Sequence, residues 1–150
     1  MNLVEIITNL LTAPGRASYE LPRGLWLVYY PPTDTQPAHR LVIGRYAAMP
    51  SIVEQRVVHD TLLDALDRHP SRVVTDIDST WSETTRGDWY GVQLSWHMLP
   101  TTDAFSPNPD RAQRVRLALE QRQRRLEKRR AKPAKPAGNR KPMLGRGGEE

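Results

Sequence analysis

The chain has 150 residues, the size of one ordinary domain with extensions, and its lack of cysteine excludes both a disulfide framework and a thiolate metal site. Its net charge of +5 conceals an asymmetry: residues 1–106 hold 8 Arg, no Lys and 12 Asp/Glu, whereas residues 107–150 hold 14 Lys/Arg against 5 Asp/Glu. An acidic body with a basic extension directs a polyanionic partner to the extension and not to the body.

The first element is an amphipathic helix. Leu3, Ile6, Ile7, Leu10 and Leu11 recur at helical spacing, Asn2 and Glu5 form a capping-box pattern, and Pro14-Gly15 ends the run. The stretch LVEIITNLL is too short to span a bilayer, carries Glu5, and has no basic residue ahead of it. We therefore expect a cytoplasmic protein with no membrane partner.

Two runs rich in β-branched and aromatic residues follow, GLWLVYY and RLVIGRYA, separated by the proline-rich PPTDTQPAH; they predict a hairpin with a long loop. Ser51 and Glu54 make a second capping box, opening a helix that runs to about His69. Ile52, Val58, Leu62, Leu63, Ala65 and Leu66 share its apolar arc, with Gln55 and His59 inside the arc and Val53 and Val57 outside it. A second hairpin is predicted from SRVVTDIDSTW and DWYGVQLSWHML, flanking SETTRG. In its last strand Tyr90, Val92, Leu94, Trp96 and Met98 alternate with polar or small residues, the pattern of a sheet with one face on a core and one in water. A two-residue turn at Arg86-Gly87 would set Ile77 opposite Trp96 and Trp81 opposite Val92. The same register sets Asp76 opposite His97 and Asp78 opposite Ser95.

After Leu99 the composition shifts. Residues 101–108 read as a proline-rich linker, and a basic helix is predicted over 109–131. Asn108 is its N-cap, Pro109 its first residue, and Asp110 complements the helix dipole. Ala112, Val115, Leu119 and Leu126 form an apolar stripe. Residues 132–150 are rich in Pro, Gly and Lys and read as a disordered tail. The expected fold is α+β: a compact domain over 1–100 with two antiparallel hairpins, about four strands, packed by the N-terminal and central helices.

Between Arg111 and Lys132 lie 10 basic and 2 acidic residues. Arg at i,i+4 spacing, as at Arg125 and Arg129, repels itself, and a phosphate backbone relieves that repulsion while releasing counterions. The residues expected to contact nucleic acid are Arg122, Arg124, Arg125, Lys128, Arg129, Arg130, Lys132 and Lys135, within a DNA- or RNA-binding stretch spanning 111–135. Tyr29 and Trp89 are candidate stacking residues for bases, and Trp26 and Trp96 are expected in the core. Asp76, Asp78 and His97 share one strand face in the proposed register and are the only candidates for metal-dependent phosphoryl transfer. The blander reading of that face is an ion pair that keeps a sheet edge soluble. His39 and His69 show no partner at ligand spacing, and we expect neither a resident metal nor a cofactor.

The leading functional reading is a non-enzymatic, nucleic-acid-associated accessory or assembly protein. Its acidic body would make protein contacts or self-associate, and its basic arm would hold phosphates. An alternative is a structural component of a larger assembly, such as a phage or virion particle, with the arm on an acidic protein neighbour. A second alternative is the metal-dependent enzyme.

Overall fold

The computed structural model describes residues 2–68, 72–77 and 81–131. The fold is α+β, as expected. Its elements are α1 (Leu3–Leu11), β1 (Ala17–Leu21), β2 (Leu25–Tyr30), β3 (His39–Tyr46), α2 (Ile52–Asp67), β4 (Val73–Ile77), β5 (Ser82–Arg86), β6 (Trp89–Pro100) and α3 (Pro109–Ala131), with single 3-10 turns at Pro22–Gly24 and Thr101–Phe105. Of the described residues, those up to Glu120 belong to one compact unit and 121–131 to a second.

Both capping boxes are made. Glu5 N–H donates to the Asn2 side chain at 2.9 Å, and Asn2 N–H donates to Glu5 Oε1 at 3.0 Å. At α2, Glu54 N–H donates to Ser51 Oγ at 3.1 Å, and Ser51 N–H donates to Glu54 Oε1 at 2.8 Å. Each box satisfies orphan donors of a first helical turn.

All strands are antiparallel, in the order β1-β2-β3-β6-β4, with β5 also paired to β6. The sheet thus has six strands, two more than the four expected from the sequence. The additional strands are ASYEL and SETTR, in β1 and β5. Every residue of β5 is exposed, as are the three central residues of β1. SETTR has no apolar residue and leaves no period-2 signal to read; ASYEL does alternate, with Ala17, Tyr19 and Leu21 against Ser18 and Glu20, but over only five residues.

β6 is the organising strand. Its first half pairs with β5 and its second half with β4, while β3 lies along its opposite edge. The pairs Ile77–Trp96 and Asp76–His97 form as expected. The turn itself is Gly87-Asp88, not Arg86-Gly87: Arg86 pairs with Trp89, and Gly87 takes φ 59° as the first residue of a two-residue turn. Consequently Glu83, not Trp81, faces Val92. From Ile77 to Ser82 the edge advances five residues while β6 advances three, from Trp96 back to Gln93. The β4 register is therefore the expected one although that of β5 is displaced by two. Asp78, whose expected partner was Ser95, lies outside the described residues, as do His69 and Pro70.

One sheet face carries the main core. Ile6, Ile7 and Leu10 of α1 and Val58, Leu62 and Ala65 of α2 bury against Leu27, Leu41, Ile43, Val92, Leu94 and Trp96. On β2 the assignment of faces is the reverse of the one expected: Leu25, Leu27 and Tyr29 point into this core, and Trp26 is half-buried on the other face. The run LWLVYY is apolar at every position, so alternation cannot choose a face. Ile52, placed on the apolar arc of α2 by its spacing, is 66% exposed; it precedes the point where the helix meets the sheet.

The opposite face is not left to water. Val74 and Leu99, paired across β4 and β6, pack with Ala104, Val115, Ala118 and Leu119 in a second cluster. The segment read as a linker is therefore part of the packing, through the 3-10 turn that buries Ala104. Farther along that face the indole of Trp89 lies over Gly44; a Cβ at Gly44 would stand 2.2 Å from its Cζ2.

Arg45 joins three elements. Its Nε–H donates to the Arg23 carbonyl at 3.1 Å, and its guanidinium donates to both Glu54 oxygens, at 3.1 and 2.5 Å. That pairing, with help from Ser51 N–H, holds the Glu54 carboxyl at about 2 against an ordinary value of 4.5. A carboxyl depressed by folding adds stability above its unfolded value and loses it as pH falls through the folded one. Glu54→Gln keeps the cap but removes the charge. It should lower stability at pH 7 by about 1–2 kcal/mol, discounted for partial exposure. In denaturant titrations the gap between the two proteins should close as pH falls from about 4.5 to about 2; a constant gap would contradict this account.

Candidate functional site

The basic helix begins as expected. Asn108 Oδ1 accepts from Asp110 N–H at 3.0 Å and from Arg111 N–H at 3.3 Å, and Pro109 occupies the first turn. Ala112, Val115 and Ala118 are buried, so the first three turns are fixed to the sheet. The apolar stripe runs through Ala118, which the heptad pattern had passed over.

Beyond Glu120 the composition of α3 changes. Residues 121–131 carry Arg122, Arg124, Arg125, Lys128, Arg129 and Arg130 against the single acid Glu127. Six cations in about three turns of helix form a row of charge with a rise of ~1.5 Å per residue. Lys132 and Lys135 lie outside the described residues.

Asp76 and His97, two of the three residues considered for metal-dependent chemistry, are brought together by the β4–β6 register, but Arg114 of α3 joins them. Its Nε–H donates to Asp76 Oδ2, and its Nη2 donates to His97 Nδ1 at 3.1 Å. A guanidinium only donates, so Nδ1 of His97 must be the accepting nitrogen and Nε2 carries the hydrogen. The cluster is an ion pair with a hydrogen-bonded histidine, and it clamps α3 to the sheet. Among the described residues no group of three or more His, Asp or Glu side chains is placed to hold a metal ion. The sequence identified Asp76 and His97 but not Arg114, because nothing in the helical spacing distinguishes this arginine from its neighbours.

The aromatic candidates divide. Tyr29 is buried, 2% exposed, and its hydroxyl is hydrogen-bonded to His39 Nδ1 at 2.8 Å, so its ring is not available for stacking against a base. Trp89 is half-buried over Gly44, with Tyr46 edge-on at 5.1 Å and 67% exposed. Tyr30 is the aromatic with cations beside it: the guanidinium carbons of Arg40 and Arg16 stand 4.7 and 5.7 Å from its ring centroid.

His39, read from sequence as a loop residue without partners, opens β3. It stacks on Trp96 at 5.4 Å and 12°, and Tyr29 lies 6.1 Å away. Burial lowers the His39 pKa and raises that of Tyr29. These three residues line a pocket of about 220 Å³ with Thr8, Leu11 and Thr12 of α1, Ala65 and Leu66 of α2, and Met98. A pocket made by five elements leaves no local pattern in the chain, and a lone histidine near a proline loop gives no sign of it. His59 sits elsewhere, 6.2 Å from Trp81 and 3.4 Å from the Asp60 carboxylate.

No family model matches this chain, and no curated protein or solved structure matches it. Among the described residues no helix is long and apolar enough to cross a membrane.

Proposed function

We propose that this is a nucleic-acid-associated accessory or assembly protein that holds phosphate backbones through residues 121–131 of α3. One observation carries the reading: α3 is a single helix whose first half is buried against the sheet and whose second half bears six cations and one acid. A helical stretch carries its cations as a row along the chain, and arginine suits bidentate phosphate contacts. Binding of this kind is governed by counterion release and is steeply salt-dependent.

The body contributes protein contact. Ile52, Val53 and Val57 at the start of α2 are 66%, 71% and 50% exposed, an apolar cluster on an otherwise charged helix. This observation favours the second reading, a structural component of a larger assembly whose arm docks on an acidic protein neighbour.

The test is a salt series with the full chain and with residues 1–120, against DNA, RNA and polyglutamate. The proposal expects salt-sensitive binding to nucleic acid by the full chain and its loss in the shorter one. Undiminished binding by residues 1–120, or none by the full chain at low salt, would sink it. Equal affinity for polyglutamate would favour the acidic-protein reading instead. A stable oligomer formed without nucleic acid would support the assembly reading.

A further inference from the structure

The sheet face turned away from α1 and α2 carries a row of hydrogen-bond donors in the body of the protein. Tyr30 of β2 pairs with Arg40 of β3, and Arg40 pairs with Ser95 of β6, so these three side chains share that face across three strands. Arg16, just ahead of β1, completes the row. Its guanidinium and that of Arg40 stand 5.7 and 4.7 Å from the centroid of the one Tyr30 ring, within the roughly 6 Å over which an aromatic ring attracts a cation. We propose that this row binds a phosphate monoester.

Among the described residues, neither Arg16 nor Arg40 has a carboxylate partner or a side-chain hydrogen bond, and the hydroxyls of Tyr30 and Ser95 have no partner either. Arg45, by contrast, is paired with Glu54. Arg40 Nε is buried, so what this residue offers a ligand is its two terminal amino groups. Those groups keep accessible surface, as do the Tyr30 and Ser95 hydroxyls, and Arg16 is exposed. Each of these groups can donate and none of the four residues is acidic, so their complement is an anion with several acceptor oxygens. Two cations held beside one ring also repel across a distance on the order of the Debye length, about 8–10 Å, and a bound anion removes that repulsion. A monoester phosphate carries a charge of about −1.5 to −2 at pH 7 and three acceptor oxygens, which matches two guanidiniums and two hydroxyls. A backbone diester carries a single charge. Stacking on Tyr30 already orders both guanidiniums, which lowers the entropy lost on binding. The row belongs to the unit that ends at Glu120, so it does not depend on the contacts proposed for residues 121–131.

Glycerol 3-phosphate is the probe, titrated into the ¹⁵N-labelled full chain while the backbone amide resonances are followed. Saturable shifts are expected at Arg16, Tyr30, Arg40 and Ser95, with a Kd of roughly 1 mM. Arg16→Gln and Arg40→Gln should each weaken binding about tenfold by removing charge-assisted contacts. Arg16 is exposed, so Arg16→Gln should leave the fold intact, with the buried Leu62 and Leu94 amides unmoved. Glutamine at Arg124, Arg125, Arg129 and Arg130 together should leave the four shifts and their Kd unchanged. Dimethyl phosphate, a diester, should bind about tenfold more weakly than the monoester. No saturable shift at these amides, an unchanged Kd in both row variants, or loss of the shifts in the α3 variant would overturn the proposal. Equal affinity for dimethyl phosphate would overturn it as well. So would shifts produced by a single-stranded oligonucleotide without a terminal phosphate but not by glycerol 3-phosphate, which would assign the row to a nucleic-acid backbone.

Discussion

Changing Arg124, Arg125, Arg129 and Arg130 together to glutamine should weaken binding of the full chain to a DNA duplex by about 10²–10³-fold at low salt. The same change should flatten the salt dependence. Each phosphate contact contributes about −0.9 to the slope of log K against log salt, so removing up to four contacts reduces its magnitude by up to about 3.6. Between about 50 and 200 mM salt the native chain would then lose roughly 10²-fold more affinity than the variant. Glutamine is close to arginine in helix propensity, so the helical signal in circular dichroism should be unchanged and a folding defect can be separated from a charge effect. The matching arginine-to-lysine variant keeps the charge and should retain most of the affinity, losing only bidentate contacts. An unchanged slope in the glutamine variant would show that residues 121–131 do not contact phosphate.

The second large effect concerns the anchor. Val115 is fully buried among Val74, Leu99, Ala104, Ala118 and Leu119. Val115→Asp would place a carboxylate in a site with no polar partner. The chain should avoid that by releasing the docked half of α3, at a cost of about 3 kcal/mol or more. The loss should be local, because the second cluster is separate from the one that holds Trp96, Ile7 and Leu62. We expect new protease cleavage in the Thr101–Glu120 region, loss of the Arg114 pairing with Asp76 and His97, and a core tryptophan signal close to native. Val115→Ala, which leaves a small cavity, should cost about 1–2 kcal/mol without release. Wholesale unfolding of the Val115→Asp protein would show that the two clusters are one cooperative unit.

These two variants also separate the contributions to the proposed function. The glutamine variant removes charge from an anchored helix, while Val115→Asp keeps the charge and frees the helix. A phosphate grip that depends only on charge density survives the second change at low salt. One that depends on an ordered row of arginines does not.

Much of the fold was legible in the chain. Asn2/Glu5 and Ser51/Glu54 mark helix starts because a capping box is a local exchange of hydrogen bonds within four residues. Strict alternation in Tyr90–Met98 identifies the half-buried central strand. The basic helix and its Asn108 cap are equally local. What escaped was whatever lacks a one-dimensional signature. β5 is a strand because β6 offers it an edge to pair with, not because of its own polar residues, and the alternation of β1 runs over only five residues. The uniformly apolar β2 could not reveal which face Trp26 and Tyr29 would take. The register at Asp76–His97 came out as expected although the turn was displaced.

The sequence by itself determined the helix starts, the sheet-forming runs and the separation of an acidic body from a basic extension, since these follow from short-range spacing and from charge. Only the tertiary structure decided that Arg114 would capture Asp76 and His97, that the first half of α3 would cover the second sheet face, and that Tyr29, His39 and Trp96 would meet at a pocket. Those outcomes depend on residues up to 67 positions apart, Tyr29 to Trp96, whose approach is set by strand pairing and burial rather than by any pattern in the chain.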